Sequence, residues 1–289
     1  MRGRHVYFSL TKGTLVATVH EAWIDGIMRV DVTSIVGFLA LIATVSPNYS
    51  LAEIVQKSTP QKASLAGLIT RDLNSVKFPR NSWDARSKSF VLLAEFFQND
   101  WHSQLTLNTP PREKAEIERE IGYLHSLKRL REERRAEIAE EDDDMFHGYF
   151  SSLMMNERTY PRTFELMNFA QLLGGTLVLY FKAQFERPRP SQLAPDLRPI
   201  LAVPGNASYP GGHAAQSHLI SFVLAELRPD AKHILLELAR RISHNREVAG
   251  LHYPSDTIAG ESLAKQANEL AKSGEQFRQL MINAKAEWQ

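Results

Sequence analysis

The stretch TFELMNFAQLLGGTLVLYFKAQF, residues Thr163–Phe185, is a strong helical pattern and decides the interpretation of the fold. Its glycine pair, Gly174 and Gly175, predicts close packing against another helix, because glycine has no side chain to hold two backbones apart. Three further helical patterns follow it, at about Gly212–Leu227, Ala231–His244 and Pro254–Ser273. Few runs alternate as strands do. These patterns predict an all-α fold, a helical bundle.

Two helices are expected on the N-terminal side of this stretch. The first covers about Ser82–Gln104, and the second lies in the highly charged segment from Arg112 to Met145. Apolar residues recur in the charged segment at steps of three and four, so it is amphipathic. A partner-binding coiled coil is the alternative, but the stripe lasts about two heptads before EEDDD ends it. The pattern favours a surface helix of the same domain.

Composition excludes several classes of site and partner. The 289 residues are 43% hydrophobic and 23% charged, with a formal net charge of +1, so no bulk field attracts nucleic acid. The chain has no cysteine, which excludes disulfides, iron–sulfur clusters and thiolate zinc sites. No run reaches the roughly 18 to 20 apolar residues of a spanning helix, so no membrane-spanning segment is expected. Whether copies of the chain form a homo-oligomer stays open.

The apolar run Val32–Val45 has two interpretations. It is a buried helix, or it is the core of a signal peptide whose translation starts at Met28 and whose cleavage-like site is Ser50–Ala52. Asp31 counts against the second, since the leading region of a signal peptide should be positive. The signal peptide would imply a periplasmic or secreted protein, and the buried helix a cytoplasmic one.

The expected organisation is therefore an N-terminal extension or signal segment at 1–52 and a single all-α domain at 53–289. The residues that carry chemistry are concentrated in 165–265, where the active site is expected.

The first chemical cluster is KAQFERPRP, residues 182–190. Lys182 ends a helix and Arg189 follows in a proline-fixed loop, so both can face one site. The second cluster is ASYPGGHAAQSH, residues 207–218, in which Gly211 and Gly212 open a helix with His213 in its first turn. Free N–H groups and the dipole at a helix start bind anions. Simpler structural explanations exist for each cluster, namely solvated cations and a loop-to-helix connection.

The third cluster is NREVAGLHYPSD, residues 245–256, with Arg246, His252 and Asp256 before and within the first turn of a helix. A carboxylate four residues after a histidine can accept the Nδ1 proton, which leaves Nε2 as a nucleophile or base. A capping aspartate near an unrelated histidine is the structural alternative. Together the clusters supply cations, two histidines and a carboxylate around an anion cradle, as phosphoryl transfer requires.

These three clusters resemble the tripartite signature of the type 2 phosphatidic acid phosphatase and vanadium haloperoxidase superfamily. That signature has Lys, six residues and Arg-Pro; then Pro-Ser-Gly-His; then Ser-Arg, five residues, His, three residues and Asp. The resemblance covers about residues 165–265 and leaves residues 1–110 unexplained. Two positions depart from it: Gly211 and Asn245 stand where the family has serine.

The resemblance implies a role for each matching residue. Phosphate would be bound by Lys182, Arg189, Gly211, Gly212 and Arg246, with Gly212 donating its backbone N–H. His213 would protonate the leaving group, and His252 would attack phosphorus and form a phosphohistidine. Asp256 would orient His252.

The implied function is a metal-independent phosphoric monoester hydrolase of the acid phosphatase kind, acting on a small phosphorylated substrate without a cofactor. A vanadium haloperoxidase, with vanadate bound to His252 in the same site, is the alternative. Against it, Leu179 stands where the fungal chloroperoxidases have tryptophan. A non-catalytic anion-binding module is the second alternative, which the missing serine at Gly211 favours.

Overall fold

The computed structural model describes residues 2–11, 14–23, 77–79 and 82–289. It divides the chain into two compact units, Met1–Thr59 and Pro60–Gln289, which are described separately. The expected signal segment, from Met28 through Val32–Val45 to Ser50–Ala52, lies outside the described residues.

The first unit contains a β-hairpin that the sequence analysis did not predict. Strand β1 (Arg2–Thr11) pairs antiparallel with β2 (Thr14–Trp23). The register runs from Arg2 opposite Trp23 to Thr11 opposite Thr14. Valine, threonine and aromatic residues are frequent in both strands, and these residue types favour extended backbone. The hairpin was not predicted because these residue types are not accompanied there by a clear hydrophobic alternation.

In the described residues of the second unit every regular element is helical, which confirms the predicted all-α fold there. The α-helices are α1 (Ala85–Phe96), α2 (Trp101–Gln104), α3 (Lys114–Leu127), α4 (Arg131–Asp143), α5 (His147–Leu153), α6 (Pro161–Phe185), α7 (Pro190–Leu193), α8 (Gly212–Leu227), α9 (Lys232–Val248), α10 (Pro254–Ala271) and α11 (Glu275–Lys285). Short 3₁₀ turns are Lys128–Leu130, Pro195–Leu197, Pro229–Ala231 and Ala286–Trp288.

Helix α6 is the central element of this unit and packs against α1, α8, α10 and α11. Its start at Pro161 suits proline, whose missing N–H has no partner in a first helical turn. A side-chain carbon added at Gly174 would lie 3.1 Å from the Cα of Gln216 on α8. The glycine therefore permits the close helix packing that the sequence predicted.

The helices that follow start where the sequence placed them, but α9 ends later than expected. It continues to Val248, four residues beyond His244, so that Asn245 and Arg246 lie in its last turn. The sequence analysis had put Arg246 in the approach to the next helix, and this was wrong. The extension is stabilised by contacts of both side chains with α4, which local sequence patterns cannot show.

The charged segment forms two helices, α3 and α4, joined by the 3₁₀ turn Lys128–Leu130. Its buried apolar side chains Leu124, Leu127 and Ile138 pack in one cluster with Val248 and Tyr253. This confirms a surface helix of the same domain, although in two pieces. The expected helix at 82–104 is likewise divided into α1 and α2.

One stretch of the described residues, Pro161–Leu193, is long and apolar enough to cross a membrane, judged by length and composition alone. Its mean hydropathy is 1.2, and 78% of its apolar window is buried inside the protein. Burial of this kind is also what the core helix of a helical bundle shows, so the stretch does not by itself indicate a membrane span.

Candidate active site

The first two predicted cations meet at one loop residue. Lys182, in the last turn of α6, donates from Nζ to Asn206 Oδ1 at 2.9 Å and to the carbonyl of Ala207. Arg189 donates from Nη2 to the same Oδ1 at 2.8 Å and from Nε to the Asn206 carbonyl at 2.9 Å. Both cations are buried. Their shared contact with Asn206 holds them close together, and its uncharged amide does not neutralise either of them.

Arg189 also determines the tautomer of His252. Its Nη1 lies 3.0 Å from His252 Nε2, and a guanidinium has only donors, so Nε2 must be the acceptor. The ring proton is then on Nδ1, which donates to Asp256 Oδ2 at 3.1 Å. His252 therefore presents the lone pair of Nε2 to the cationic side of the site, as a nucleophile would.

Asp256 is fully buried and accepts from several donors. Besides His252, its Oδ2 accepts from the Ser208 hydroxyl and from the backbone N–H of Tyr253, and its Oδ1 accepts from Arg187 at 2.6 Å. Burial alone would raise the pKa of Asp256. The hydrogen bond and charge of His252, with Arg187 and Ser208, outweigh burial and lower this pKa to about 2, so the carboxylate stays ionised.

Arg187 is a site residue that the sequence analysis missed. Its Nη2 lies 2.6 Å from Glu120 Oε2 on α3, its Nη1 lies 2.7 Å from Ser255 Oγ, and its guanidinium stacks 3.9 Å over the Tyr253 ring. Glu120 also accepts from the backbone N–H of Ser255 at 2.9 Å. Arg187 thus connects the charged segment to Asp256. The available signal was its place in ERPRP, two residues before Arg189.

Burial lowers the pKa of three basic groups in the site, namely His252, Lys182 and Arg189. Burial lowers the pKa of His252 to about 3, with Arg189 and Lys182 adding to the effect against the opposing Asp256. Burial, then Arg189, lowers the pKa of Lys182 well below its usual range, and burial lowers that of Arg189 to about 10. His252 is therefore neutral near pH 7. A bound anion would raise the pKa of Lys182 again.

The start of α8 lies directly against Asp256. Gly211 donates its N–H to the Asp256 carbonyl at 2.8 Å, and a side-chain carbon at Gly211 would lie 3.0 Å from that oxygen. A side-chain carbon at Gly260 on α10 would lie 2.6 Å from the Gly211 carbonyl. Two glycines thus let α8 and α10 approach closely, which gives the departure from the family serine at Gly211 a packing reason.

His213 lies in the first turn of α8 with 26% of its side chain exposed. Burial lowers its pKa well below the usual range, and the charges of Arg246, His252 and Lys182 add to this, while the Glu141 carbonyl acts in the opposite direction. His213 Nε2 is 3.9 Å from Asp142 Oδ1, near the end of α4.

Arg246 is almost fully buried and bound by α4. Its Nη1 donates to Asp142 Oδ1 at 2.8 Å, and its Nη2 donates to the Ile138 carbonyl at 2.8 Å and to Glu141 Oε2 at 3.3 Å. The sequence assigned this arginine to an anion. In the structure two carboxylates from the charged segment contact it.

Asn245, the second departure from the family pattern, is completely buried. Its Nδ2 donates to Glu137 Oε1 at 3.0 Å and to Glu141 Oε1 at 2.8 Å, and its Oδ1 accepts from Arg134 at 3.1 Å. The amide satisfies donors and acceptors on α4 that a shorter serine would not reach together. Asparagine in place of the family serine therefore helps α4 to pack against the end of α9.

The structure brings the predicted residues together in two groups. Four of them form a hydrogen-bonded group that we call the nucleophile cluster, in which Asn206 links the first two: Lys182, Arg189, His252 and Asp256. Gly211 joins it through the backbone, and Gly212 begins the adjoining helix. The remaining two form the His213–Arg246 pair, which is connected through Asp142.

His218, five residues after His213 on α8, is buried with Nδ1 2.8 Å from the Ala214 carbonyl and Nε2 3.5 Å from Glu261. Within the described parts of the chain, no group of three or more histidine, cysteine, aspartate or glutamate residues is arranged to hold a metal ion.

Comparisons with known proteins identify a family model and several relatives that are similar to this chain. Residues 166–264 match the model of the PAP2 superfamily. The non-specific acid phosphatases of Salmonella typhimurium and Salmonella typhi are each 32% identical to this chain over 116 residues. The aligned region covers 37% of this chain and 44% of each relative, so the chain spans less than half the length of the curated relatives it matches.

A crystal structure of a transmembrane PAP2-type phosphatidylglycerolphosphate phosphatase from Bacillus subtilis is also similar, at 17% identity and a TM-score of 0.32, covering 84% of this chain and 94% of that one. At that score no conclusion follows from it. Residues 166–264, which match the family model, contain the nucleophile cluster and the His213–Arg246 pair. This region of the chain is therefore a PAP2 superfamily domain.

Proposed function

We propose that this chain hydrolyses phosphate monoesters through a covalent phosphohistidine formed on His252, without a metal ion. The observation that carries the proposal is the orientation of His252 between Asp256 on Nδ1 and Arg189 on Nε2. The similarity of the chain to non-specific acid phosphatases over 116 residues supports the same reaction class. The proposed substrate is a small phosphorylated molecule.

In the first step Nε2 of His252 attacks phosphorus, and the bond from phosphorus to the ester oxygen breaks with its electron pair moving to that oxygen. The imidazole is neutral near pH 7 because its pKa is about 3, so Nε2 has a lone pair that can attack once Arg189 Nη1 turns its N–H away. As Nδ1 keeps its proton, the ring becomes cationic when the P–N bond forms. The ionised Asp256 stabilises that charge, as a carboxylate does in a catalytic triad.

The cations of the site stabilise the oxygens of the transferring group. Arg189 Nη1, which donates to Nε2 in the ligand-free site, can turn its N–H to a phosphoryl oxygen as the P–N bond forms. Lys182 lies next to it through the shared Asn206 oxygen. The N–H groups at the start of α8 are further donors, since none of the described side chains caps this helix.

His213 is the proposed proton donor to the leaving oxygen. Its pKa is lowered well below the usual range in the ligand-free site, so it is neutral there. The negative charge of a bound phosphoryl group raises that pKa, and a substrate monoanion brings one proton that either group can hold. In the second step a water molecule gives a proton to His213 and attacks phosphorus. The P–N bond breaks, and phosphate and neutral His252 are released.

The test is hydrolysis of a chromogenic aryl phosphate by the wild type, by His252→Ala and by a matched control, His233→Ala, which changes an exposed histidine of α9. We expect activity in excess chelator for wild type and control and none for His252→Ala. A phosphorylated peptide containing His252 should be trapped by rapid quenching and identified by mass spectrometry.

Three results would contradict the proposal. They are substantial hydrolysis by a correctly folded His252→Ala variant, loss of wild-type activity in chelator with recovery on adding a divalent ion, and bromination of a dye with vanadate and peroxide in place of hydrolysis. The last would indicate the haloperoxidase alternative.

A further inference from the structure

The feature that the proposed mechanism leaves unexplained is the position of Asp142. Its Oδ1 lies 2.8 Å from Arg246 Nη1 and 3.9 Å from His213 Nε2. One carboxylate oxygen thus contacts a proposed phosphate-binding cation and approaches the proposed proton donor. An oxygen of a bound phosphoryl group would need the same neighbours.

Asp142 is the partner of Arg246 that is free to leave. The Ile138 carbonyl belongs to the backbone of α4, and Glu141 is largely buried and bound by Asn245 through its other oxygen. Asp142 has 49% of its side chain exposed and is the next-to-last residue of α4. Within residues 82–289 its side chain contacts the His213–Arg246 pair and no other charged group.

The local sequence gives no reason for an acidic residue at this point. Residues 140–143 are all acidic, and the last turn of α4 contains no basic residue. Negative charges at a helix C-terminus oppose the helix dipole and repel one another. The favourable interactions of Asp142 therefore come from the tertiary contact, which places a negative charge in a site built for an anion.

We propose that Asp142 is an internal anion that competes with the substrate phosphoryl group for Arg246, so that a phosphate binds only when this carboxylate is displaced. The inference rests on the proposed function, since it assumes that Arg246 binds the oxygens of the phosphoryl group. It makes Asp142 a residue that sets affinity for substrate and product and does not take part in bond breaking.

The test is the affinity for inorganic phosphate, measured by titration calorimetry on the whole chain. Asp142→Asn keeps the size of the side chain and removes the competing charge. We expect the dissociation constant for phosphate to fall about three- to tenfold, as when an occluded binding state is made available. The constant for product inhibition by phosphate should fall in parallel.

The matched control is Glu140→Gln, which removes the same charge from the same helix. Glu140 pairs with His147 at 3.3 Å and does not contact the His213–Arg246 pair. A tightening confined to Asp142→Asn supports competition at Arg246. An equal tightening in both variants would mean a general charge effect and would overturn the inference. Asp142→Ser, which removes the charge and shortens the side chain, should tighten binding in the same way.

Other outcomes separate the two proposals. If Asp142→Asn binds phosphate unchanged or more weakly while the wild type hydrolyses aryl phosphate, Asp142 only supports Arg246, and this inference alone fails. If neither wild type nor variant binds phosphate and neither hydrolyses the ester, the proposed function fails and the inference fails with it.

Discussion

The nucleophile cluster and the His213–Arg246 pair are assembled in opposite ways. In the first, Asp256 is surrounded by donors and His252 has one defined tautomer, so the ligand-free geometry already resembles what phosphoryl attack requires. In the second, Arg246 is bound by carboxylates of α4. The proposed nucleophile is pre-organised, whereas the arginine proposed to bind an anion is already paired with carboxylates.

Residues at the positions of one motif can therefore differ in how their side chains are paired. Charge pairing stabilises both groups, but in the nucleophile cluster the pairing acts through Asp256 behind the reactive atom. In the His213–Arg246 pair it acts on the side that a phosphoryl group would use. We expect variants in the first group to affect catalysis strongly, and variants that change the carboxylate contacts of Arg246 in the second group to change affinity.

The largest expected effect comes from Asp256→Asn, which breaks the nucleophile cluster. The amide can donate to Nδ1 of His252 and so favour the tautomer with the proton on Nε2, which cannot attack phosphorus and faces the donors of Arg189. Loss of the orienting carboxylate should lower kcat about 10³- to 10⁴-fold. Steady-state hydrolysis of an aryl phosphate measures this.

Asp230→Asn is the control, because Asp230 is exposed and pairs with Arg228 away from the site. A folded Asp256→Asn variant with kcat close to that of the control would show that the tautomer argument is wrong.

A smaller effect is expected when the support behind Asp256 is removed by Arg187→Gln. The change leaves Glu120 and Asp256 without their shared buried cation. Removing one partner of a buried pair typically costs about 3–5 kcal/mol, so the free energy of unfolding should fall by that order. Denaturant titration measures it, with Arg278→Gln as a control at an exposed ion pair.

The double variant Arg187→Gln with Glu120→Gln sharpens this result. Part of the lost stability should return, because one unpaired buried charge is removed along with the arginine. If the two changes are simply additive, Glu120 and Arg187 are not coupled as the structure indicates.

The smallest effect concerns Glu247, a buried carboxyl that accepts from the Thr257 hydroxyl beside the nucleophile cluster. Burial, with the charges of Asp256 and Glu120, raises its pKa to about 7 against the opposing Thr257 hydrogen bond. The folded chain then holds a proton between about pH 4.5 and 7 that the unfolded chain has released. This contribution to stability is complete below about pH 4.5 and is lost as pH rises through 7.

Glu247→Gln is neutral at every pH, so its Tm relative to wild type should increase between pH 5 and pH 8. The expected change in the free energy of unfolding is on the order of 2 kcal/mol. For a chain of this size each kcal/mol shifts the Tm by roughly 2–4 °C. Glu275→Gln, at an exposed position, should show no such trend. A Tm difference that stays constant with pH would argue against a buried, protonated Glu247.

Much of this arrangement was predictable from local sequence. The starts of α8 and α10, the close packing at Gly174 and the contact between His252 and Asp256 all follow from spacing within a few residues. The hairpin of β1 and β2 and the later end of α9 were not predicted. Strand pairing and helix ends depend on partners that a periodic pattern does not contain.

The reactive groups of the site can be named from the sequence alone, and the contact between His252 and Asp256 can be expected from it, because His252 lies just before the start of α10 and Asp256 lies in its first turn. The charges that surround these groups depend on the tertiary fold. Arg187 meets Glu120 across 67 residues, and Arg246 meets Asp142 across 104. The packing of α3 and α4 brings these carboxylates to the site. In a buried site nearby charges set both pKa and affinity, so within one motif the proposed nucleophile is supported by Asp256 while Arg246 is paired with carboxylates.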